Sequence, residues 1–271
     1  MNKSIRISIL LVAAAVMLAF ASSAVAGDMS NAGIEAARHG YDAQADTRSR
    51  PEAPSDGRQD EETTDKADND CICEYRLYNW NSARGRTEAA EPVRKPCTEV
   101  TPDERDPLEP RCTVCRKDQV RLDPATLGMP GVKPFMVCRV FERRVRDALA
   151  RIAKSGSFEV TEIVGYRPGR TRGPIKDGFR TVLSNHSFGT AIDINPAHNG
   201  LYKNCTRTDF KKTGHGKCRL SIGGKWDPSA NPRRTITDDS IVVKAFSDFW
   251  KWGGDIPGGT RDLMHFSISG F

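Results

Sequence analysis

Eight cysteines set the first limit on this chain: Cys71, Cys73, Cys97, Cys112, Cys115, Cys138, Cys205 and Cys218. Five of them fall within residues 71–131, beside several prolines and few long apolar runs. Such a stretch has too little core to stand without covalent staples. Whether the sulfurs pair or bind metal depends on the compartment, and the N-terminus decides that. Lys3 and Arg6 precede an uncharged apolar run from Ile7 to Phe20, and Ala24-Val25-Ala26 forms a small-x-small cleavage site. Residues 1–26 therefore read as a secretory signal peptide, with a retained N-terminal anchor as the alternative. The run is short for a membrane span, and no later segment is apolar enough to cross a bilayer. An even number of cysteines in an exported chain predicts disulfides. A zinc knuckle on Cys71-x-Cys73 and Cys112-x-x-Cys115 is the alternative, and it would rank higher in a reducing cytosol. Cys205 and Cys218 are close together and far from the rest, so they are expected to pair; the other cysteines stay unassigned.

Charge divides the chain. Residues 27–70 hold 12 acidic and 5 basic side chains and contain no Phe, Trp, Leu, Val or Cys. They cannot bury enough apolar surface to offset the entropy of ordering, which predicts a disordered linker. Residues 71–271 hold 34 basic and 23 acidic groups, a net of +11. Outside the cytoplasm such a surface meets an acidic envelope polymer or an anionic membrane more readily than nucleic acid, and no nucleic-acid partner is expected. A merely soluble surface is the plainer reading.

Four segments follow: signal peptide 1–26, linker 27–70, cysteine-rich subdomain 71–132 and a compact domain 133–271. In the last, Val137, Phe141, Val145, Leu149 and Ile152 recur at helical spacing over 134–154, placing Cys138 on a helix. Phe158 to Gly165 reads as a strand ended by the turn Arg167-Pro168-Gly169. Thr190 to Ile194 is a short strand. Residues 239–252 read as a second helix, with Asp238 as N-cap and Gly253-Gly254 as its end. Leu263 to Ser269 is the last strand. Short strands with segregated helices predict an α+β fold: a small antiparallel sheet with flanking helices, preceded by the disulfide-rich subdomain.

Strand alternation puts His265 and Ser267 on one face and Met264, Phe266 and Ile268 on the other. Likewise Ala191 and Asp193 share a face, while Ile192 and Ile194 turn to the core. His186 lies on the loop before that strand, where Gly189 permits a sharp bend. Two histidines and a carboxylate thus converge, as in catalytic zinc sites with three protein ligands and an open fourth position. Zinc lowers the pKa of water there from about 15.7 toward about 7. A base is still needed, and Asp262, on the bend entering the last strand, is the candidate. For any one of these residues alone, a satisfied structural polar group would be the better reading. His39, His198 and His215 lie in polar surroundings, and a second metal on His215, Cys205 and Cys218 ranks below a disulfide. Trp226, Trp250 and Trp252 either line a groove for glycan or peptide or pack the helix end.

Taken together, Ser184, His186 and Asp193, followed by Asp262 and His265-Phe266, resemble the zinc D-alanyl-D-alanine carboxypeptidase and L-alanyl-D-glutamate endopeptidase family, which includes the D-Ala-D-Ala dipeptidases. Gly165-Tyr166-Arg167 and Trp252-Gly253-Gly254 are similar to two further elements of that family. The resemblance covers roughly residues 134–271. It implies one zinc, held by His186, Asp193 and His265, and peptidoglycan peptides as substrate. It further implies Asp262 as acid/base, Arg167 at the scissile carbonyl and Ser184 as a substrate contact. A surface-turn role for Arg167 and a backbone-bonding role for Ser184 are the alternatives. An aspartate at the acid/base position is typical of the endopeptidase-like branch, so the bond cut stays open. A zinc-bearing but inactive wall-binding module is the rival class, and a metal-free stapled domain the third. The protein is expected to be periplasmic or secreted; oligomeric state is not legible.

Overall fold

A computed structural model describes residues 71–88, 90–205 and 218–271. The signal peptide, the linker, His39 and His215 lie outside the described residues. Among those described, fourteen strands and two α-helices form an α+β structure of small sheets. No helix among them is long and apolar enough to cross a membrane.

The cysteine-rich stretch opens with β1 (Ile72–Asn81), β2 (Arg86–Thr87) and β3 (Glu91–Pro96). β1 runs antiparallel to β3 from Ile72 opposite Pro96 to Leu77 opposite Glu91. Cys73 and Leu77 are four residues apart, share a face of β1 and are both buried. All eight cysteines are paired: Cys71–Cys97, Cys73–Cys115, Cys112–Cys138 and Cys205–Cys218. The expected Cys205–Cys218 bridge is present, and the zinc-knuckle alternative is removed because its four sulfurs each have another partner.

β4 (Gln119–Leu122) pairs antiparallel with β5 (Phe135–Cys138). This corrects the expected helix over 134–154. Residues 135–138 give their backbone to the β4 ladder, and Cys138 is held by Cys112, so it ends a strand and does not lie on the helix. Helix α1 starts only at Glu142 and runs to Ser155, burying Val145, Ala148, Leu149 and Ile152. Gly156, at φ 62°, closes it in the left-handed region.

The next strand is shorter than its apolar pattern suggests. Only β6 (Ile163–Val164) pairs, because Asn195 Oδ1 accepts the Thr161 and Glu162 amides and diverts the chain before Ile163. A hairpin follows, β7 (Gly169–Lys176) and β8 (Phe179–Leu183). β1 adds to it in parallel, Tyr78 opposite Gly169. Then come β9 (Ala191–Ile194), β10 (Leu201–Lys203) and β11 (Arg219–Ile222). Helix α2 covers only Ile241–Phe246, capped by Ser240, whose side chain accepts the Val243 amide; the expected range 239–252 and the Asp238 cap are corrected. β12 (Lys251–Trp252) takes the residues that a longer helix would have used, since their backbone pairs with β14. β13 (Arg261–Asp262) and β14 (His265–Ser267) complete the chain.

The sheet that positions the site is antiparallel, in the order β12–β14–β9–β6. Phe266 from its middle packs on Phe246 of α2, ring centroids 5.1 Å apart. Trp226, Trp250 and Trp252 are buried. Trp226 donates to the Ile236 carbonyl and Trp252 to that of Leu263, so both act as internal anchors.

Candidate metal centre

β14 and β9 place His265 directly opposite Asp193, with Phe266 opposite Ile192 and Ser267 opposite Ala191. Directly paired residues share a face, so the two polar side chains meet. His186 arrives from a single 3-10 turn, Asn185–Phe188. Gly189, at φ 68°, ends that turn. A side chain there would collide with Gln119 Oε1 and the Cys138 amide, so this position needs glycine for both conformation and space.

Three ligand atoms, one each from His186, Asp193 and His265, lie within 4.8 Å of one another, and all three residues are buried. His265 Nδ1 is 3.0 Å and His186 Nε2 3.2 Å from the same oxygen, Asp193 Oδ1. The Gly165 carbonyl lies 2.9 Å from His186 Nδ1. A carbonyl only accepts, so Nδ1 carries the proton and Nε2 turns a lone pair toward the carboxylate. Burial holds the His186 pKa down, against the pull of Asp193. For His265 burial acts in the same sense, but its hydrogen bond to Asp193 and the charges of Asp193 and Asp262 outweigh it and raise the pKa. Burial alone would raise Asp193, yet the two histidines hold it well below the usual carboxylate range. One proton on His265 thus satisfies one ring, while the neutral His186 ring still faces Asp193 acceptor to acceptor. Nε2 of each histidine is buried without a hydrogen-bond partner. A small cation among the three residues would resolve that conflict, and a His₂Asp donor set suits zinc. The residues present therefore fit a zinc ion.

Asp262 reaches the site from β13, which pairs with β10. Its Oδ1 is buried and has no partner. Burial, reinforced by Asp193 and opposed by His265 and Arg167, pushes its pKa up to about 7. Gly253 explains how the chain fits here: a Cβ on it would sit 3.0 Å from Asp262 Cβ and 3.2 Å from His265 Cβ. Trp252, beside it, donates to the Leu263 carbonyl at 2.9 Å. The Trp252-Gly253 pair thus clamps the turn between Asp262 and His265 from outside.

Arg167 is anchored by its amide to the His186 carbonyl at 2.9 Å, and its Nη2 donates to Asp193 Oδ2 at 3.3 Å. Its side chain keeps 45% of its surface exposed, so it borders the cluster and solvent together. Ser184 is buried, and its hydroxyl has no partner, so the backbone-bonding alternative is not what the structure contains. His198 is half-buried outside the cluster. Sequence reasoning missed Gly165 as the acceptor that orients His186, and Asp106 and Gln119, which hold the His186 turn from the cysteine-rich stretch. The Gly165-Tyr166-Arg167 element marks Gly165 but not the role of its carbonyl, and nothing in the local pattern marks Asp106 or Gln119, since each acts across a long gap in the chain.

Fold and cluster together define a small α+β structure built around a His₂Asp set with an adjacent unpaired carboxyl group. Residues 178–268 match the family model described as D-alanyl-D-alanine carboxypeptidase. The match spans about a third of the chain and includes Ser184, His186, Asp193, Asp262 and His265, while Arg167 lies outside it. The resemblance read from the motifs is borne out over this stretch, and the match supports a peptidase acting on peptidoglycan peptides. No curated protein and no solved structure gives a significant match.

Proposed function

We propose that this protein is an exported zinc metallopeptidase that hydrolyses an amide bond of peptidoglycan peptides, as a D-Ala-D-Ala carboxypeptidase or an L-Ala-D-Glu-type endopeptidase. The observation that carries the reading is the convergence of His265 Nδ1 and His186 Nε2 on Asp193 Oδ1, at 3.0 and 3.2 Å, with one ligand atom of each residue within 4.8 Å of the others. His186, Asp193 and His265 are the zinc ligands. Zinc, when bound, supplies Lewis acidity and lowers the pKa of water toward about 7. Asp262 would take the proton from the attacking water and hand it to the leaving amine; its place beside the ligands, with burial pushing its pKa up, suits it to both halves of that transfer. A cation in the cluster favours its ionised, basic form. Arg167 presents its guanidinium to the oxyanion that develops on the scissile carbonyl. Ser184, whose hydroxyl is buried without a partner, is the substrate contact that the resemblance implies, and it would have to be uncovered when substrate binds.

Four disulfides support export, because such bonds persist in oxidising compartments. In this reading residues 133–271 are the peptidase domain and 71–132 a stapled cap. Asp262 argues against an inactive binding module, which would have no use for a half-buried carboxyl beside the ligands whose Oδ1 has no partner. The test is metal content and turnover in ligand variants. His186→Ala and His265→Ala should each lose both zinc and hydrolysis of stem peptides; a variant that loses zinc yet keeps full turnover would contradict the assignment.

A further inference from the structure

Asp106 lies in the cysteine-rich stretch, far in sequence from the His₂Asp cluster, and is 1% exposed. No Lys, Arg or His among the described residues pairs with its carboxylate, so hydrogen bonds alone offset the cost of burying it. Oδ1 accepts the Leu108 and Glu109 amides at 2.8 and 3.2 Å, which closes a tight local turn. Oδ2 reaches across to the Thr190 hydroxyl at 2.6 Å. That length falls in the range of a charge-assisted O–H···O⁻ bond, about 2.5–2.7 Å. Thr190 is wholly buried and is the one residue between Gly189 and β9. Its amide and hydroxyl both lie within reach of the Asn185 carbonyl, at 3.2 and 3.1 Å. Asn185 begins the turn that carries His186, and β9 carries Asp193. A short hydrogen bond to a carboxylate from outside the ligand-bearing segment thus holds the residue that joins the His186 turn to β9.

We propose that Asp106 is a positioning residue for the metal centre: through Thr190 it fixes the distance between the His186 turn and the Asp193 strand. The proposal rests on the zinc reading above. It gives the cysteine-rich stretch a part in the site itself, beyond stapling. A positioning role predicts a loss of metal affinity and of kcat with the fold intact, whereas a merely structural clamp would lower thermal stability alone. Outer partners of metal ligands commonly contribute about 10–100-fold to metal affinity or activity.

The experiment measures zinc affinity of the full mature protein by competition with a chromophoric chelator, beside thermal melting and kcat and KM on stem peptides. Asp106→Ala should weaken zinc binding about tenfold and lower kcat more than KM. Thr190→Val, which keeps the volume and removes the hydroxyl, should do the same, and it serves if the alanine variant does not fold. Combining the two should lose no more than either alone, because each breaks the same bond. Asp106→Asn should recover most of the affinity, since its amide can donate to Thr190 while Oδ1 still accepts the two backbone amides. Lowered melting temperatures with unchanged zinc affinity in both single variants would overturn the proposal. Wild-type protein that binds no zinc would instead sink the metal reading, and the proposal with it.

Discussion

At the residue scale the site is a contest for protons. Asp193 receives two imidazoles on one oxygen and a guanidinium on the other. Asp262 stands beside them with no partner for Oδ1 and a pKa of about 7. The two carboxylates are thereby pushed in opposite directions, which separates a ligand role from an acid/base role. Asp262→Asn keeps the shape and removes the titrating group. It should retain zinc and lose at least about a hundredfold in kcat, the usual lower bound for removing a positioned general base. Metal analysis beside steady-state rates checks this; full activity in the variant would remove Asp262 from the mechanism. His186, Asp193, Asp262 and His265 were all legible in the sequence, because strand alternation and the Asp262–His265 spacing are local patterns. The orientation of His186 was not, since it depends on a carbonyl at Gly165, brought in by a chain reversal that periodicity does not encode.

At the element scale the site depends on short pieces. β9 and β14 have four and three residues, too few to be stable without their neighbours. They are held by β6 and β12 on the outside and by α2 packing on Phe266. The Asn185–Phe188 turn is held by Cys138, whose amide donates to the Gly189 carbonyl at 2.9 Å, and by Gln119, which approaches the Phe188 carbonyl at 3.4 Å. Gly189→Ala brings a methyl group into both partners at a positive φ. It should cost about 2–4 kcal/mol of stability and weaken metal binding, read by denaturant melts and zinc titration. An unchanged melt would show that the turn is not packed as described. Two of the errors in reading elements from sequence share one cause. Residues 135–138 and 251–252 have patterns compatible with a helix, but cross-strand partners claim their backbone. Partners that lie more than a dozen residues away override local propensity.

At the scale of the whole molecule the cysteine-rich stretch and the ligand-bearing segment are interlocked. β1 enters the β7–β8 hairpin in parallel, Cys112 is bonded to Cys138, and Asp106 reaches Thr190. Glu104 ties that stretch together, accepting from Tyr75, Lys95 and the Thr101 amide. Burial alone would raise its pKa, but these bonds hold it down at about 2. Because the folded pKa lies below the unfolded value of about 4.5, its contribution is complete above that value and drains away as pH falls toward 2. Glu104→Gln should therefore lose about 1–2 kcal/mol near neutral pH, after allowance for solvent screening, and show a flatter stability profile between pH 4.5 and 2. Parallel acid titrations of both proteins check this, and equal slopes would contradict it. The α+β class was legible from the pattern of short strands, and one of the four disulfides from spacing alone. The parallel strand pairing in the interlock was not, since Tyr78 opposite Gly169 leaves no mark on either local sequence.

The proposed activity is zinc-dependent hydrolysis of peptidoglycan stem peptides. Its most direct test is to incubate the mature, disulfide-bonded protein with purified muropeptides, with and without a chelator, and to read the products by mass spectrometry. A zinc-dependent peptidase should give new peptide termini at one defined bond, abolished by the chelator and restored by added zinc. Intact muropeptides after incubation with zinc-loaded protein, or cleavage that proceeds undiminished in chelator, would contradict it.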